Sequence, residues 1–328
     1  MELPTALRQA VDRLLERTPL ADLQRASGIL SARYRAELRD GRPHLDGALA
    51  VKAYLATRLP ATYAAVRATF ASVADGMPDF SPASLLDIGA GPGTAFWSAA
   101  DCWPSLNAAV LVEASAAARS AGETLGREKP AMSTRWLADD ATRGLPDLAP
   151  ADLVTLCYVL DELDPAQRAA LVERLWALTA GVLVIVEPGT PAGWQRILAA
   201  RDRLIAAGAH LVAPCPHENP CPLAPPEWCH FSRRVARSRL HRMAKGGDVP
   251  WEDEKYIFVA AARQPARPPR ARVIAPPRGG KGLVTLKLCQ ADGSAAELKL
   301  SKRDGDNFRI ARRLDWGDAV QQDFAGSS

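Results

Sequence analysis

A short glycine-rich run is the part of this sequence with the clearest chemistry. Residues 85–94 read Leu-Leu-Asp-Ile-Gly-Ala-Gly-Pro-Gly-Thr. Gly89, Gly91 and Gly93 can adopt positive φ values and let a ligand approach the main chain, and Asp87 places a carboxylate just before them. The strictly alternating glycines differ from the G-x-G-x-x-G fingerprint of dinucleotide-binding folds. We therefore interpret the run as a site for S-adenosylmethionine rather than NAD.

Carboxylates also follow the next two apolar segments. Residues 108–112 end at Glu113, about twenty residues after the glycines, where a nucleotide-binding sheet presents a carboxylate to ribose hydroxyls. The segment around Trp136 ends at Asp139 and Asp140. We expect Glu113 to bind the ribose, and Asp139 and Asp140 to line the same cofactor site.

The order of apolar and helical segments indicates the fold class. Predicted strands at 152–160 and 181–186 flank a helical stretch at 165–179, which is the pattern of βαβ units. With the glycines and carboxylates, this pattern resembles the class I methyltransferases. The resemblance implies an α/β fold with a Rossmann-type, mostly parallel sheet. The alternative is a glycine-rich turn in an unrelated α/β protein, and the carboxylate spacing argues against it.

A second candidate site is a cysteine-rich segment. Cys215, Cys221 and Cys229 lie within fifteen residues, among prolines that exclude a regular helix or a central strand. No secretory signal is visible and a cytosol keeps thiols reduced, so we do not expect a disulfide. Metal binding is favoured, because thiolates in such a loop repel one another unless a cation or cluster neutralises them. Cys102 and Cys157 lie in apolar surroundings and are interpreted as small buried hydrophobes.

The metal and its fourth ligand stay open at this point. Zinc takes four ligands and a histidine could complete a Cys3His set, although the spacing lacks the usual C-x2-C hairpin. An iron-sulfur cluster usually takes four thiolates, and the fourth can lie far away in sequence. Cys289 is the remaining cysteine outside the predicted methyltransferase core. The histidines considered for zinc are His217, His230 and His241.

A narrower resemblance rests on motifs spread over most of the chain. They are the glycine run, Val112-Glu113-Ala114, the run 184–190, the cysteine segment with Trp228-Cys229-His230-Phe231, and the runs 60–65 and 311–318. Together they resemble the bacterial branch of the small-ribosomal-subunit methyltransferase-like proteins, whose mitochondrial relatives are known as ribosome assembly factors. The resemblance implies S-adenosylmethionine binding, a [4Fe-4S] cluster and association with small-subunit rRNA. The implied cluster ligands are Cys215, Cys221, Cys229 and Cys289.

Charge is distributed unevenly along the chain. Residues 1–190 carry 18 Lys and Arg against 23 Asp and Glu, whereas residues 191–328 carry 23 against 14. The densest basic stretches are 233–242, with five arginines, and 263–281, with six basic residues and no acidic ones. A phosphate backbone is the partner that this distribution favours. A solvated helix face followed by a flexible linker is the alternative.

Composition and periodicity divide the chain into predicted regions. These are a helical N-terminal cap (1–80, interrupted at 40–43), an S-adenosylmethionine-binding domain (81–262) with a Cys-rich insertion (213–232), a basic proline-rich linker (263–281) and a small β extension (282–328). A hairpin predicted in the extension would bring Cys289 to the other cysteines. No apolar run approaches the length of a membrane span and the N-terminus resembles no targeting signal, so we expect a cytoplasmic protein without a membrane partner, acting as a monomer.

Catalytic residues are not identified by the sequence. An Asn-Pro-Pro-Tyr motif, which would hold an exocyclic amine, is missing where it is expected, and residues 157–160 read Cys-Tyr-Val-Leu instead. Asp161 or Glu162 could act as a base, but the start of a helix explains both equally well. Two functions therefore stay open, an rRNA methyltransferase and an assembly factor that binds S-adenosylmethionine without turnover. A zinc-binding nucleic-acid module is a third, weaker alternative.

Overall fold

The computed structural model describes residues 2–36, 44–129, 131–141, 143–322 and 324. The predicted helix break at 40–43 lies outside them. The described helices are α1 (Thr5–Leu15), α2 (Leu20–Ala36), α3 (Ala48–Thr57), α4 (Leu59–Gly76), α5 (Thr94–Cys102), α6 (Ala116–Gly126), α7 (Pro165–Ala177), α8 (Pro191–Ala206), α9 (Arg239–Lys245) and α10 (Gly305–Ala311). The strands are β1 (Ser84–Ile88), β2 (Ala108–Val112), β3 (Ser133–Leu137), β4 (Ala151–Cys157), β5 (Thr179–Pro188), β6 (His210–Ala213), β7 (Phe231–Ala236), β8 (Trp251–Ala262), β9 (Ala271–Val273), β10 (Arg278–Gly280), β11 (Leu283–Gln290), β12 (Ala295–Ser301) and β13 (Ala319–Val320).

The main sheet has the strand order β3-β2-β1-β4-β5-β8-β6. Strands β1 to β5 pair in parallel, whereas β8 pairs antiparallel with both β5 and β6. An antiparallel strand inserted at this place in a parallel sheet is the arrangement of class I methyltransferases. The inner strands read as continuous apolar runs because helices cover both faces of such a sheet. The predicted fold class is confirmed, and the chain is a methyltransferase-like protein.

The N-terminal helices belong to the same core as the main sheet. Apolar residues of α1 recur on one helix face, and Leu7, Val11 and Leu15 are buried. Helix α4 is buried along most of its length and lies against α5 and β8. One continuous cluster of buried apolar side chains joins these helices to the sheet. No helix in the described part of the chain combines the length and apolar character needed to cross a membrane.

The cysteine segment, residues 213–232, connects two strands that both pair with β8. Strand β6 pairs with the C-terminal half of β8, at Ala260 to Ala262, and β7 pairs with its N-terminal half, from Trp251 to Tyr256. The intervening chain therefore leaves the sheet at the end of β6 and returns at the start of β7. This path places the cysteines beside the middle of β8.

A second, antiparallel sheet follows, with the order β10-β11-β9-β13 and with β12 paired to β11. The predicted hairpin is present as β11 and β12. This sheet has its own apolar core, which includes Val273, Leu286 and Phe308 of α10. The structure differs from the expectation of a plain linker at 263–281, because β9 and β10 lie within it. The short apolar alternation of residues 271–273 is enough for β9 to pair with β11.

Candidate cofactor cleft and cysteine centre

A cleft of about 820 Å³ opens at the carboxyl ends of β1 to β4. The structure brings together most of the residues predicted for the cofactor site, since its lining includes Asp87, Gly89, Gly91, Glu113, Asp139 and Asp140. Gly93 lies just beyond this lining, at the N-cap of α5. Parallel strands present their carboxyl ends at one edge, which is where open α/β sheets bind ligands.

The three glycines of the turn all have positive φ, at +65° for Gly89, +54° for Gly91 and +85° for Gly93. A Cβ at Gly89 would lie 2.4 Å from Cγ2 of Val159, so packing forbids a side chain there. A Cβ at Gly91 would meet only Leu45, at 3.6 Å. Gly91 is therefore kept small by its backbone conformation and leaves open space on the cleft side.

Glu113 fixes the glycine turn from the end of β2. Its Oε2 accepts a hydrogen bond from the backbone N–H of Gly91 at 2.8 Å, and its Oε1 accepts one from Ser115 at 2.7 Å. Burial raises the pKa of Glu113 above its ordinary value. A carboxylate has about four acceptor sites, so two bonds leave capacity for ribose hydroxyls. The ribose contact itself stays a prediction.

Asp87 is a buried carboxyl group with one oxygen unsatisfied. Its side chain is part of the cleft lining, while the residue is 1% exposed. Its Oδ1 accepts a hydrogen bond from the Thr155 hydroxyl at 2.7 Å, but its Oδ2 has no hydrogen-bond partner among the described residues. Burial raises its pKa to about 7. Leaving such an oxygen unpaired is costly, and a cationic ligand group would satisfy it.

Arg58 and Tyr158 of the cleft lining belong to a polar network that the sequence did not reveal. Arg58 donates to both carboxylate oxygens of Glu254, at 3.0 and 3.3 Å, and the Tyr158 hydroxyl donates to Glu254 at 3.4 Å. Tyr158 is the one non-glycine residue with positive φ in the described part of the chain, at +60°. Its position directly after β4 is the sequence signal that indicates a place at the cleft. Arg58 and Glu254 are 196 positions apart, and no local pattern connects them.

Only one of the two candidate bases lines the cleft. Glu162 is part of its lining, whereas Asp161 is 3% exposed and lies behind it. His44 Nε2 is 3.8 Å from a carboxylate oxygen of each. Burial raises the pKa of Glu162 to about 7, although His44 opposes this shift. A carboxyl group with a pKa near neutrality can accept a proton from a ligand in the cleft.

The four cysteines implied as ligands line one small cavity of about 30 Å³. Burial and the neighbouring thiols raise the pKa of Cys229 well above its ordinary value, and they raise that of Cys289 to about 12. No group of three or more His, Cys, Asp or Glu in the described residues is arranged to hold a single metal ion. Four thiolates around one zinc ion stand about 3.8 Å apart, given Zn–S bonds of about 2.3 Å. The cysteines share a cavity without this close spacing.

The three histidines considered for zinc lie in different places. His217 lines the cysteine cavity, with its Nε2 3.3 Å from Sγ of Cys289. His230 instead stacks on Trp228, with ring centroids 5.1 Å apart. His241 is fully buried and lies 3.5 Å from Glu252. Only His217 is placed to touch a metal in the cavity.

Two buried arginines flank the cysteine cavity. Arg201 donates to the carbonyl oxygens of His217 and Asn219, at 3.1 and 2.6 Å. Arg272 donates to the carbonyl oxygens of Pro214 and Gly317, at 3.0 and 2.9 Å. Arg201 is also paired with the carboxylate of Asp202, at 2.9 Å. The carbonyl groups that bind Arg272 satisfy its N–H donors but do not neutralise its charge, so this buried cation calls for an anion nearby. Four thiolates around a metal centre would supply such an anion.

The structure also corrects the interpretation of the basic stretches. Arg272 belongs to the stretch predicted to contact phosphate, but it is 5% exposed and cannot reach a nucleic acid. Arg234 is paired with Asp253, and Arg237 is paired with Glu252. The side chains of these arginines are held by carboxylates on the neighbouring strand. These three arginines of the basic stretches are therefore not available to contact phosphate.

Family comparison identifies the chain at this point. The family model described as mitochondrial small ribosomal subunit Rsm22 matches residues 48–321. The chain belongs to this family. The resemblance inferred from the glycine, glutamate and cysteine motifs is thereby confirmed.

Individual relatives of the Rsm22 family agree with this assignment. The human ribosome assembly protein METTL17, mitochondrial, is 32% identical over 286 residues, covering 81% of this chain and 61% of that protein. Rsm22-cox11 tandem protein 2, mitochondrial, of Schizosaccharomyces pombe is 25% identical over 321 residues, covering 82% of this chain and 42% of that protein. The chain thus spans less than two thirds of the length of these relatives.

Solved structures show a weaker, more general similarity. An O-methyltransferase family protein from Burkholderia thailandensis has a TM-score of 0.45 at 13% identity, covering 75% of this chain and 72% of that one. Magnesium protoporphyrin IX methyltransferase from Synechocystis, solved with bound SAM, has a TM-score of 0.42 at 14% identity, covering 71% of this chain and 91% of that one. The fold assignment rests on the strand order rather than on these scores.

The expected cytoplasmic location is wrong. The matched family is described as mitochondrial, and the human and yeast relatives are named mitochondrial as well. The expectation depended on the absence of a recognisable targeting signal, which is weak evidence for a location.

Asp87 gives the cleft a testable pH dependence. Its pKa in the folded protein, about 7, lies above the ordinary value of 3.8, so the folded state binds the proton more tightly than the unfolded state. Its contribution to stability is present below pH 4 and is lost as the pH rises through 7. Relative to Asp87→Asn, the wild type should lose about 1.4 kcal/mol of unfolding free energy per pH unit near pH 5, and about half of that per pH unit near pH 7.

Chemical denaturation at pH 5, 6, 7 and 8 measures this difference. Asp12→Asn, an exposed substitution on α1, is the control and should keep a constant offset from the wild type. Parallel stability curves for Asp87→Asn and the wild type would contradict a raised pKa at Asp87.

Proposed function

We propose that this chain is a monomeric, S-adenosylmethionine-binding, methyltransferase-like protein that holds a [4Fe-4S] cluster and acts on or with small-subunit rRNA during ribosome assembly. The observation that carries cofactor binding is the unsatisfied Oδ2 of Asp87 in a cleft beside the glycine turn. The role in ribosome assembly is supported by the family description and by the name of the human relative.

Each group of the cleft has a role in this proposal. Asp87 binds the α-ammonium group of the cofactor, and Glu113 binds the ribose hydroxyls while it keeps the turn in place. Gly91 lets the cofactor approach the main chain. Asp139 and Asp140, after β3, face the nucleoside end. When bound, S-adenosylmethionine supplies a sulfonium methyl group for transfer.

Methyl transfer would depend mainly on the position of the acceptor and on the removal of one proton from it. The residues around the cleft orient the acceptor, since most of what a methyltransferase contributes is alignment and electrostatics. Glu162 is the group placed to take a proton from the acceptor, with its carboxyl near neutrality and His44 behind it. We assign it this role as part of the proposal.

The four cysteines would hold the cluster, with Cys289 brought from β11 to the other three. The buried Arg201 and Arg272 would compensate its negative charge. Arg272 also joins the cysteine segment, through Pro214, to the C-terminal sheet, through Gly317. The cluster would therefore fasten the segment between the two sheets.

One observation favours a second candidate function, an assembly factor that binds the cofactor without turnover. Arg58 and Tyr158 line the cleft, and each is hydrogen-bonded to Glu254. Polar groups that satisfy each other in this way are not available to orient an acceptor. In this candidate, cofactor binding stabilises the folded protein for its work in assembly.

Cofactor binding is tested at the glycine turn. Gly91→Val should abolish S-adenosylmethionine binding, because a branched side chain disfavours positive φ and would occupy the open space beside Leu45. Isothermal calorimetry measures the affinity. Gly208→Val is the matched control, since Gly208 also has positive φ and no atom within 4 Å of its Cβ position but lies after α8, away from the cleft. Equal affinities for the wild type and Gly91→Val would refute the site.

Turnover is tested by mass mapping of small-subunit rRNA from a strain that lacks the gene. Catalysis predicts that one methyl group is missing and that it returns with the wild-type gene but not with Gly91→Val. The second candidate predicts an unchanged methylation map together with fewer assembled small subunits. The two outcomes exclude one another.

The cluster is tested by iron content and colour. Protein purified without oxygen should be brown, with about four irons per chain. Replacing any one of Cys215, Cys221, Cys229 and Cys289 by serine should remove the iron, whereas Cys102→Ser should keep it. Full iron content in Cys289→Ser would show that another residue is the fourth ligand. His217, whose Nε2 lies 3.3 Å from Sγ of Cys289, would then be the first candidate. Stoichiometric zinc without iron would overturn the cluster.

A further inference from the structure

Strands β7 and β8 continue beyond the main sheet as a two-stranded antiparallel ribbon. In its register, Arg234 stands opposite Asp253, and Trp251 stands opposite Ala236 at one end. Because side chains alternate across a strand, Trp251, Asp253 and Lys255 share one face of β8. All three are exposed. The residues between them face the helical cap and the protein interior.

Trp251 is an aromatic side chain left open to solvent and held in position. It is 47% exposed. The guanidinium group of Arg234 lies over its ring, 5.6 Å from the centroid. Two hydrogen bonds from Arg234 to Asp253, at 2.8 and 3.0 Å, fix the guanidinium there. An exposed aromatic ring beside a fixed cation offers a flat surface on which a planar ligand group can stack.

A second aromatic group stands at the other end of the ribbon. His230 stacks on Trp228 with an interplanar angle of 16°, and Trp316 meets its edge with ring centroids 4.7 Å apart. Trp228 is anchored by a hydrogen bond from its indole N–H to the carbonyl oxygen of Gly189. Lys255 stands opposite Ser232, two residues along the chain from His230.

These two ends define one surface, the outer ribbon face, formed by Trp228, His230, Arg234, Trp251, Asp253 and Lys255. Arg234 and Asp253 neutralise each other, so the net positive charge of this face comes from Lys255. We infer that the outer ribbon face binds a single strand of RNA, with bases stacked on its aromatic rings and a phosphate beside Lys255. This inference rests on the proposed association with rRNA and names the surface that makes it.

The geometry favours a single strand over other ligands. Trp251 and Lys255 are four residues apart on an extended strand, a distance of roughly 13 Å. Flat rings at both ends with Lys255 between them match a few consecutive nucleotides, because every base has a face that stacks on an aromatic ring. A duplex hides its base faces.

Affinity for RNA tests the inference directly. Fluorescence anisotropy with a labelled 12-nucleotide single-stranded RNA of mixed sequence, and with the matching duplex, is measured on the full-length protein. The wild type should prefer the single strand. Trp251→Ala should weaken that binding at least about five-fold, since stacking of one base contributes about 1 to 3 kcal/mol. Lys255→Gln should make the salt dependence shallower by about one unit of slope.

Ile29→Ala is the matched control, because Ile29 on α2 is an exposed apolar side chain, 59% exposed, outside the ribbon. It should bind RNA like the wild type, and all variants should bind S-adenosylmethionine normally if they are folded. Wild-type affinity in Trp251→Ala overturns the surface while the proposed function stands. Failure of the wild type to bind either RNA overturns both the surface and the proposed rRNA contact. If Trp251→Ala loses small subunits in cosedimentation but keeps its RNA affinity, the face binds a ribosomal protein and the inference is wrong.

Discussion

The register of β8 is the constraint on which the other features depend. This twelve-residue strand is antiparallel to β5 along its C-terminal half and to β7 along its N-terminal half. Its alternation sends Glu254 toward Arg58 at the cleft and Lys255 to the outer ribbon face. Further along, residues 257–259 form a wall of the cysteine cavity. A slip of one residue would turn each of these side chains to the opposite face, so cleft, cavity and ribbon are set together.

Buried charges in this protein fall into two groups that differ in how they are compensated. Glu187 and Arg196 form a fully buried pair at 2.6 Å, and the backbone N–H of Leu160 completes the bonding of Glu187. Each member of this pair compensates the other, so the pair has a structural role and needs no ligand. Asp87 and Arg272 face cavities, and their hydrogen-bond partners among the described residues are neutral. A buried charge without an opposite charge is expected where a ligand supplies that opposite charge. Electrostatics alone therefore distinguishes binding sites from purely structural ion pairs.

Short sequence motifs predicted one part of the candidate cofactor site. The glycine turn, Glu113 and the strand ends at Asp139 and Asp140 follow from strand-turn-helix chemistry over a few residues. The grouping of Cys289 with the distant cysteines came from family resemblance, and the cavity that they share agrees with it. Contacts between distant segments, such as that of Arg58 with Glu254, leave no periodic trace in the sequence. The predicted contact of Arg272 with phosphate is wrong because the sequence of a basic stretch does not distinguish a buried arginine from an exposed one.

The path of the cysteine segment has a consequence for the order of events after synthesis. The hydrogen bonds of β6 and β7 to β8 close the sheet on both sides of the segment without passing through it. The pairing of these strands is therefore complete without the segment, which presents three thiols on a loop while the fourth stands on the C-terminal sheet. Under the proposed function, the cluster would be loaded onto a chain that is already folded, and the supply of cofactor, rather than folding, would set how fast finished protein accumulates.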